Sequence, residues 1–256
     1  MSFTPIQGWV KPYDHPSSAM FGKSNPVLFG RQGLEIHQIT QSLVQHTVYP
    51  RGMNLRELPK ISYAIAVEHG WWEDERPLVD LIMLMVSEVS EAIEDYRKNH
   101  APNEMWFMLT HSEGGVEMSV RGNPGDKPCG IPSELADLVI RIADTVGRLD
   151  DISKPLPYKL SETEGDAFTL DLSAIPPLKG TFMEGLFKAT SCVVRSMYEQ
   201  ADGTLIPQFD FRAYLKCAVL RTFALARQFD IDLVSAIELK TAYNRTRPYK
   251  HGGKKI

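Results

Sequence analysis

Leu81-Ile82-Met83-Leu84-Met85-Val86-Ser87-Glu88-Val89-Ser90-Glu91 is the stretch on which the fold turns. Residues three apart are neighbours on a helix face, so a helix here sets Glu88 beside Glu91. Counting back in threes and fours from Glu88 reaches Met85, Leu84 and Leu81. The two carboxylates therefore prolong an apolar stripe and do not belong to a polar one. A buried carboxylate is costly unless it is paired or binds a metal. Glu134-Leu135-Ala136-Asp137 repeats the acidic spacing in a second helical segment. On facing helices the two pairs would put four carboxylates around one point, the all-oxygen environment that Mg2+ takes. A single Glu-x-x-Glu is more often a solvated helix face, but two pairs with one on an apolar stripe shift the balance toward a metal.

The 256 residues are 43% apolar and 23% charged, enough for one large or two small domains with a sizeable core. The formal net charge of -4 gives no case for nucleic acid or an acidic membrane as partner. Cys129, Cys192 and Cys217 are widely spaced, with neither zinc spacing nor a disulfide framework, which fits a reducing cytosol and a cytoplasmic protein. The N-terminal residues lack a signal-peptide apolar core, and the run 81–86 is too short to span a bilayer.

Residues 1–54 read as an irregular arm, with a short helix over 33–46 and surface positions for His37 and His46. The periodicity predicts a helix from Leu55 to His69, with Pro59 in its first turn and Gly70 as its stop. Trp71 and Trp72 follow on a loop, as core cover or as a stacking wall for a nucleobase. Pro77 suits the first position of the next helix, which runs to about Lys98. Residues 104–110 and 116–121, joined through Gly114-Gly115, predict a β-hairpin. A helix from Pro132 to Leu149 carries Leu135, Leu138, Val139, Ile142 and Val146 on one face. Asp137, Arg141, Asp144 and Arg148 form the opposite stripe, which pattern alone leaves free to be solvated.

Residues 154–180 read as a proline-rich linker or insertion, with a short strand over 168–172. Helices are expected over 181–200, 209–229 and 232–246. Arg141–Asp150 aligns with Arg221–Asp230, a register that puts Tyr214 at the place of Glu134 and Cys217 at that of Asp137. A repeat of this kind makes residues 181–256 a degenerate second half without acidic ligands; a plain insertion is the alternative. At the end of the chain Lys240 and Asn244 share a helix face. Arg245, Arg247, Lys250, Lys254 and Lys255 form either a solvated basic tail or a polyphosphate clamp.

Four segments together resemble the MazG-like, all-α nucleoside triphosphate pyrophosphohydrolases. They are Glu68-His-Gly-Trp-Trp72, Ser87-Glu-Val-Ser-Glu-Ala-Ile-Glu-Asp-Tyr-Arg97, Lys127-Pro-Cys-Gly-Ile-Pro-Ser-Glu-Leu-Ala-Asp-Leu-Val-Ile-Arg141 and Tyr243-Asn-Arg-Thr-Arg-Pro-Tyr-Lys-His-Gly-Gly-Lys254. The resemblance implies an all-α, MazG-like helical bundle: a catalytic half over 55–153 and a degenerate second half fused to it as a pseudo-dimer, with the hairpin as an insertion. It also implies that Glu88, Glu91, Glu134 and Asp137 bind Mg2+, with Mn2+ as a substitute. The implied reaction cuts a (d)NTP between the α and β phosphates to a (d)NMP and pyrophosphate, a role in nucleotide house-cleaning. Members assemble as dimers or tetramers, so a homodimer or a pseudo-dimeric monomer is expected. The chain departs from the pattern in its long gap between the acidic pairs and in the roughly eighty residues before the basic tail.

On this reading the acids hold the metal, and Glu88 or Glu91 also takes a proton from the attacking water. Lys240, Asn244, Arg247 and Lys254 hold phosphates, and His69, Trp71 or Trp72 faces the base. The rivals are a related phosphohydrolase of another pyrophosphate, such as a phosphoribosyl-nucleotide or an alarmone, and a non-catalytic nucleotide-binding or scaffold protein.

Overall fold

The computed structural model describes residues 54–110, 116–119, 122, 126–151, 153, 160 and 168–253. The arm up to residue 53, its expected helix, His37, His46, Gly114-Gly115 and Lys254 lie outside the described residues.

A 3-10 turn at Leu55–Glu57, capped by Asn54, leads into α1 (Leu58–Glu68), whose first turn holds Pro59. α2 spans Leu78–Arg97, with Pro77 at its N-cap, one position before the expected place. Three strands follow: β1 (Trp106–Thr110), β2 (Val116–Ser119) and β3 (Lys127–Cys129), in the antiparallel order β2-β1-β3. α3 (Ile131–Asp150) starts directly after β3, with Pro132 in its first turn. α4 is Phe182–Arg195, opened by a reciprocal cap between Thr181 and Glu184. The antiparallel pair β4 (Met197–Glu199) and β5 (Leu205–Pro207) joins it to α5 (Phe211–Gln228). α6 (Leu233–Thr246) is capped by Asp232, and a kinked turn over Lys250–Gly253 closes the described chain.

The chain is thus mostly helical with small antiparallel sheets. The mostly helical expectation holds, but there is more strand than the one expected hairpin: β3 lies between that hairpin and the next helix, where no element was expected, and β4 replaces the last turn of the helix expected to reach residue 200. Conversely, no strand forms over 168–172, where Leu172 begins a 3-10 turn. The order helix, antiparallel strands, helix occurs twice, in α2 to α3 and in α4 to α5.

α3 is the centre of the packing. It touches α1, α2, α5 and α6, so its apolar face and most of its polar face are both enclosed. Its leucine, valine and isoleucine side chains other than the half-buried Ile140 are all but fully buried, each contributing about 1.5–3 kcal/mol before chain entropy is subtracted. Gly147 lets α1 approach: a Cβ there would meet the Pro59 carbonyl and the Tyr63 side chain. Gly147→Val should therefore separate α1 from α3 and cost about 2–3 kcal/mol by overpacking, read as a lower urea midpoint. An unchanged midpoint would mean that the two helices separate freely. No helix among the described residues is long and apolar enough to cross a membrane.

Candidate metal centre

Glu88 continues the buried stripe Leu81, Met85 of α2, as its spacing requires, and is only 3% exposed. α3 brings Glu134 in its first turn and Asp137 one turn later. One carboxylate oxygen from each of Glu88, Glu134 and Asp137 lies within 4.8 Å of the others, so this cluster could hold a metal ion. Glu91, one turn beyond Glu88, is exposed and borders the same cavity without joining the cluster.

Packing three acids together inside the protein is unfavourable, and the carboxyl groups respond. Burial pushes Glu134 up to about 8, with Asp137, Glu91 and Glu88 adding repulsion against the pull of Lys240. Burial likewise pushes Glu88 up to about 7 although Arg141 attracts its charge. Two cations, the buried Lys240 and the partly exposed Arg141, offset part of the charge. The Arg141 Nε donates to Glu88, and Lys240 Nζ lies 2.9 Å from Asp137 Oδ2. Burial opposes the Lys240 charge, yet Asp137 and Glu134 hold it above the usual lysine range. An all-carboxylate donor set suits a hard cation.

The polar stripe of α3 is mostly turned inward, with Arg141 partly exposed. Arg141 meets Glu88 on α2. Asp144 accepts a hydrogen bond of 2.8 Å from Trp72 Nε1, and Arg148 forms a two-point pair with Glu75 at 2.9 and 3.0 Å. Burial pushes Asp144 up to about 7 against the attraction of Trp72, Arg76 and Arg141. These contacts answer why Asp137 faces the acids of α2: the whole stripe is turned onto α2 and the loop before it.

A cavity of about 220 Å³ opens beside the cluster. His69, Trp71, Asn244 and Arg247 line it, as the sequence reading expects of substrate-binding residues. Asn244 Oδ1 and Arg76 Nη2 are buried without a hydrogen-bond partner among the described residues, which leaves an acceptor and a donor for a bound molecule. Trp72 is placed differently. It is buried at 5% exposure, edge-on to Tyr63 and bonded to Asp144, so it supports the wall from behind. Lys240 is also placed differently from a phosphate clamp. Its ammonium has three donors. They serve Asp137, Ser133 Oγ at 2.9 Å and the Pro128 carbonyl at 3.3 Å, so Lys240 steadies the acids.

The basic C-terminal segment lies beside the acidic cluster, with Asn244, Arg247 and His251 on the same cavity. α6 packs against α3 and α1, and the Lys250 amide donates to the His69 carbonyl at 2.9 Å. Tyr249 lies over Gly70, whose φ of 78° and missing Cβ both allow the contact, and His251 rests edge-on against Trp71. Arg76, Arg141, Asp144 and His251 are cavity residues that sequence reasoning passed over. The Asp137-Arg141-Asp144 spacing was a visible signal for two of them; nothing in the local sequence marked Arg76. No family model, curated protein or solved structure matches the chain.

Proposed function

We propose that the chain is a Mg2+-dependent nucleoside triphosphate pyrophosphohydrolase, of the MazG-like kind its motifs resemble. The observation that carries the reading is the convergence of Glu88, Glu134 and Asp137, from both acidic pairs, beside a cavity with unpartnered polar atoms. Residues 55–153 with the C-terminal segment form the catalytic part in this reading, and α4–α5 is the degenerate second copy of a fused pseudo-dimer.

Glu88, Glu134 and Asp137 would hold Mg2+, with Glu91 at the open side as a fourth ligand. The ion supplies charge neutralisation for the phosphates and makes water more acidic. Arg247, half-buried at the cavity with no acidic side chain paired to it among the described residues, is suited to grip a phosphate through two N–H groups. Arg76 Nη2 and Asn244 Oδ1 offer a donor and an acceptor to the sugar-phosphate. Trp71 presents a ring to the base, with His69 beside it. Glu91, the exposed acid, accepts the proton of the attacking water and passes it to solvent. Water adds at the α phosphorus, the bond to the bridging oxygen breaks, and pyrophosphate leaves.

The test is a panel of dNTPs and NTPs with Mg2+, separating pyrophosphate from orthophosphate. Pyrophosphate plus a nucleoside monophosphate is the expected product pair, lost in Glu91→Gln. Orthophosphate alone, or equal turnover in the variant, overturns the reading.

A further inference from the structure

Away from the acidic cluster, a cleft of about 560 Å³ opens between α4 and α5. Its lining relates to the acidic centre position by position. Superposing the starts of α2 and α4, Leu78 on Phe182, brings Cys192 to the place of Glu88 and Arg195 to that of Glu91. The Arg141–Arg221 register brings Tyr214 to Glu134 and Cys217 to Asp137. All four replacements line the cleft. The contacts correspond as well. Cys192 Sγ lies 2.6 Å from Cys217 Sγ, where the first centre clusters Glu88 with Asp137. Arg221 attracts the Cys192 charge through space, without the hydrogen bond that Arg141 gives Glu88.

The replacements invert the charge. Lys188, Arg195 and Arg221 line the cleft against a single carboxylate, Asp210. No acid pairs with any of the three cations among the described residues; the Lys188 ammonium donates to the Lys179 carbonyl at 3.0 Å. A net charge of two positives, with no cluster of three metal-ligating side chains there among the described residues, matches a phosphate monoester, which carries about two negative charges above its second pKa of about 6. Phe187, 73% exposed at the rim, and the half-buried Tyr214 offer rings on which a flat group can stack. Burial and the hydrogen bond with Cys217 push the Cys192 thiol up to about 12, which makes that thiol a poor nucleophile.

We propose that the α4–α5 cleft is a second, metal-independent ligand site that takes a phosphate monoester bearing a planar ring, its phosphate on Arg195, Arg221 and Lys188 and its ring on Phe187 and Tyr214. The site stands whether or not the first centre is a hydrolase. Calorimetric titration of the full chain in EDTA, with adenosine 5′-monophosphate and with inorganic phosphate, tests it. Both probes are expected to bind saturably. Arg195→Ala with Arg221→Ala, two exposed positions whose loss spares the fold, should weaken both by at least about tenfold. Phe187→Ala should weaken only the nucleotide. The cleft is ruled out if neither probe binds in EDTA, or if binding survives the double arginine variant and is lost instead in Arg247→Ala at the first cavity. Equal loss of both probes in Phe187→Ala would overturn the stacking assignment. Turnover that fails while EDTA-resistant binding persists would separate this site from the proposed hydrolase.

Discussion

Glu134→Gln is expected to stabilise the metal-free protein and, at the same time, to abolish turnover. The two effects share one cause. Glu134 is a buried carboxyl held at about 8 by burial first and by three neighbouring acids next. Near neutral pH the folded chain must bind a proton there that the unfolded chain does not hold. A neutral amide of the same shape removes that cost, worth about 1–3 kcal/mol once relaxation is allowed for. The same amide takes one anionic ligand from the cluster of three. Pyrophosphate release should then fall by at least about a hundredfold, more than loss of a supporting residue typically costs. Melting curves in EDTA and product assays in Mg2+ on one preparation decide it. A variant that is active, or less stable without metal, would remove Glu134 from the centre.

Chelation should also set the sign of the pH dependence. Glu88 at about 7 and Glu134 at about 8 both lie above their ordinary 4.5. A carboxyl raised on folding leaves the folded state binding more protons than the unfolded one. Its stabilising contribution is full below pH 4.5 and is lost as pH rises through 7 and 8. In EDTA the unfolding free energy should therefore decline across that window. Saturating Mg2+ takes the place of those protons and should flatten or reverse the decline. Asp144, raised to about 7 from 3.8, adds a share of the same sign that Mg2+ does not remove. Asp144→Asn should take that share away in both conditions. Urea titrations at several pH values provide the measurement; identical slopes with and without Mg2+ would show that the acids bind no metal.

Much of the candidate site was legible in the chain because helical spacing is local. Glu88 continues the stripe of Leu81 and Met85, and it is buried where that stripe is buried. The Asn244 and Arg247 positions follow from the last regular helix, and both reach the cavity. The short strands were not legible. β3 and β4 are three residues each, and a strand that short is defined by its pairing partner, not by an alternating pattern of its own.

Lys240 shows a different limit. Its helix face was correctly expected, but a lysine on a helix face can reach outward to phosphate or inward to a carboxylate, and only the packing of α6 on α3 turns it onto Asp137. Trp71 and Trp72 divide in the same way: adjacent in the chain, one lines the cavity and the other donates to Asp144 from the core. By itself the sequence determined the two acidic pairs, their helices and the stripe that buries Glu88, since these depend on contacts three and four residues apart. Only the tertiary structure decided that the Asp137-Arg141-Asp144-Arg148 face turns inward. α3 is enclosed by four helices, and a helix so surrounded must bury its charges in mutual pairs.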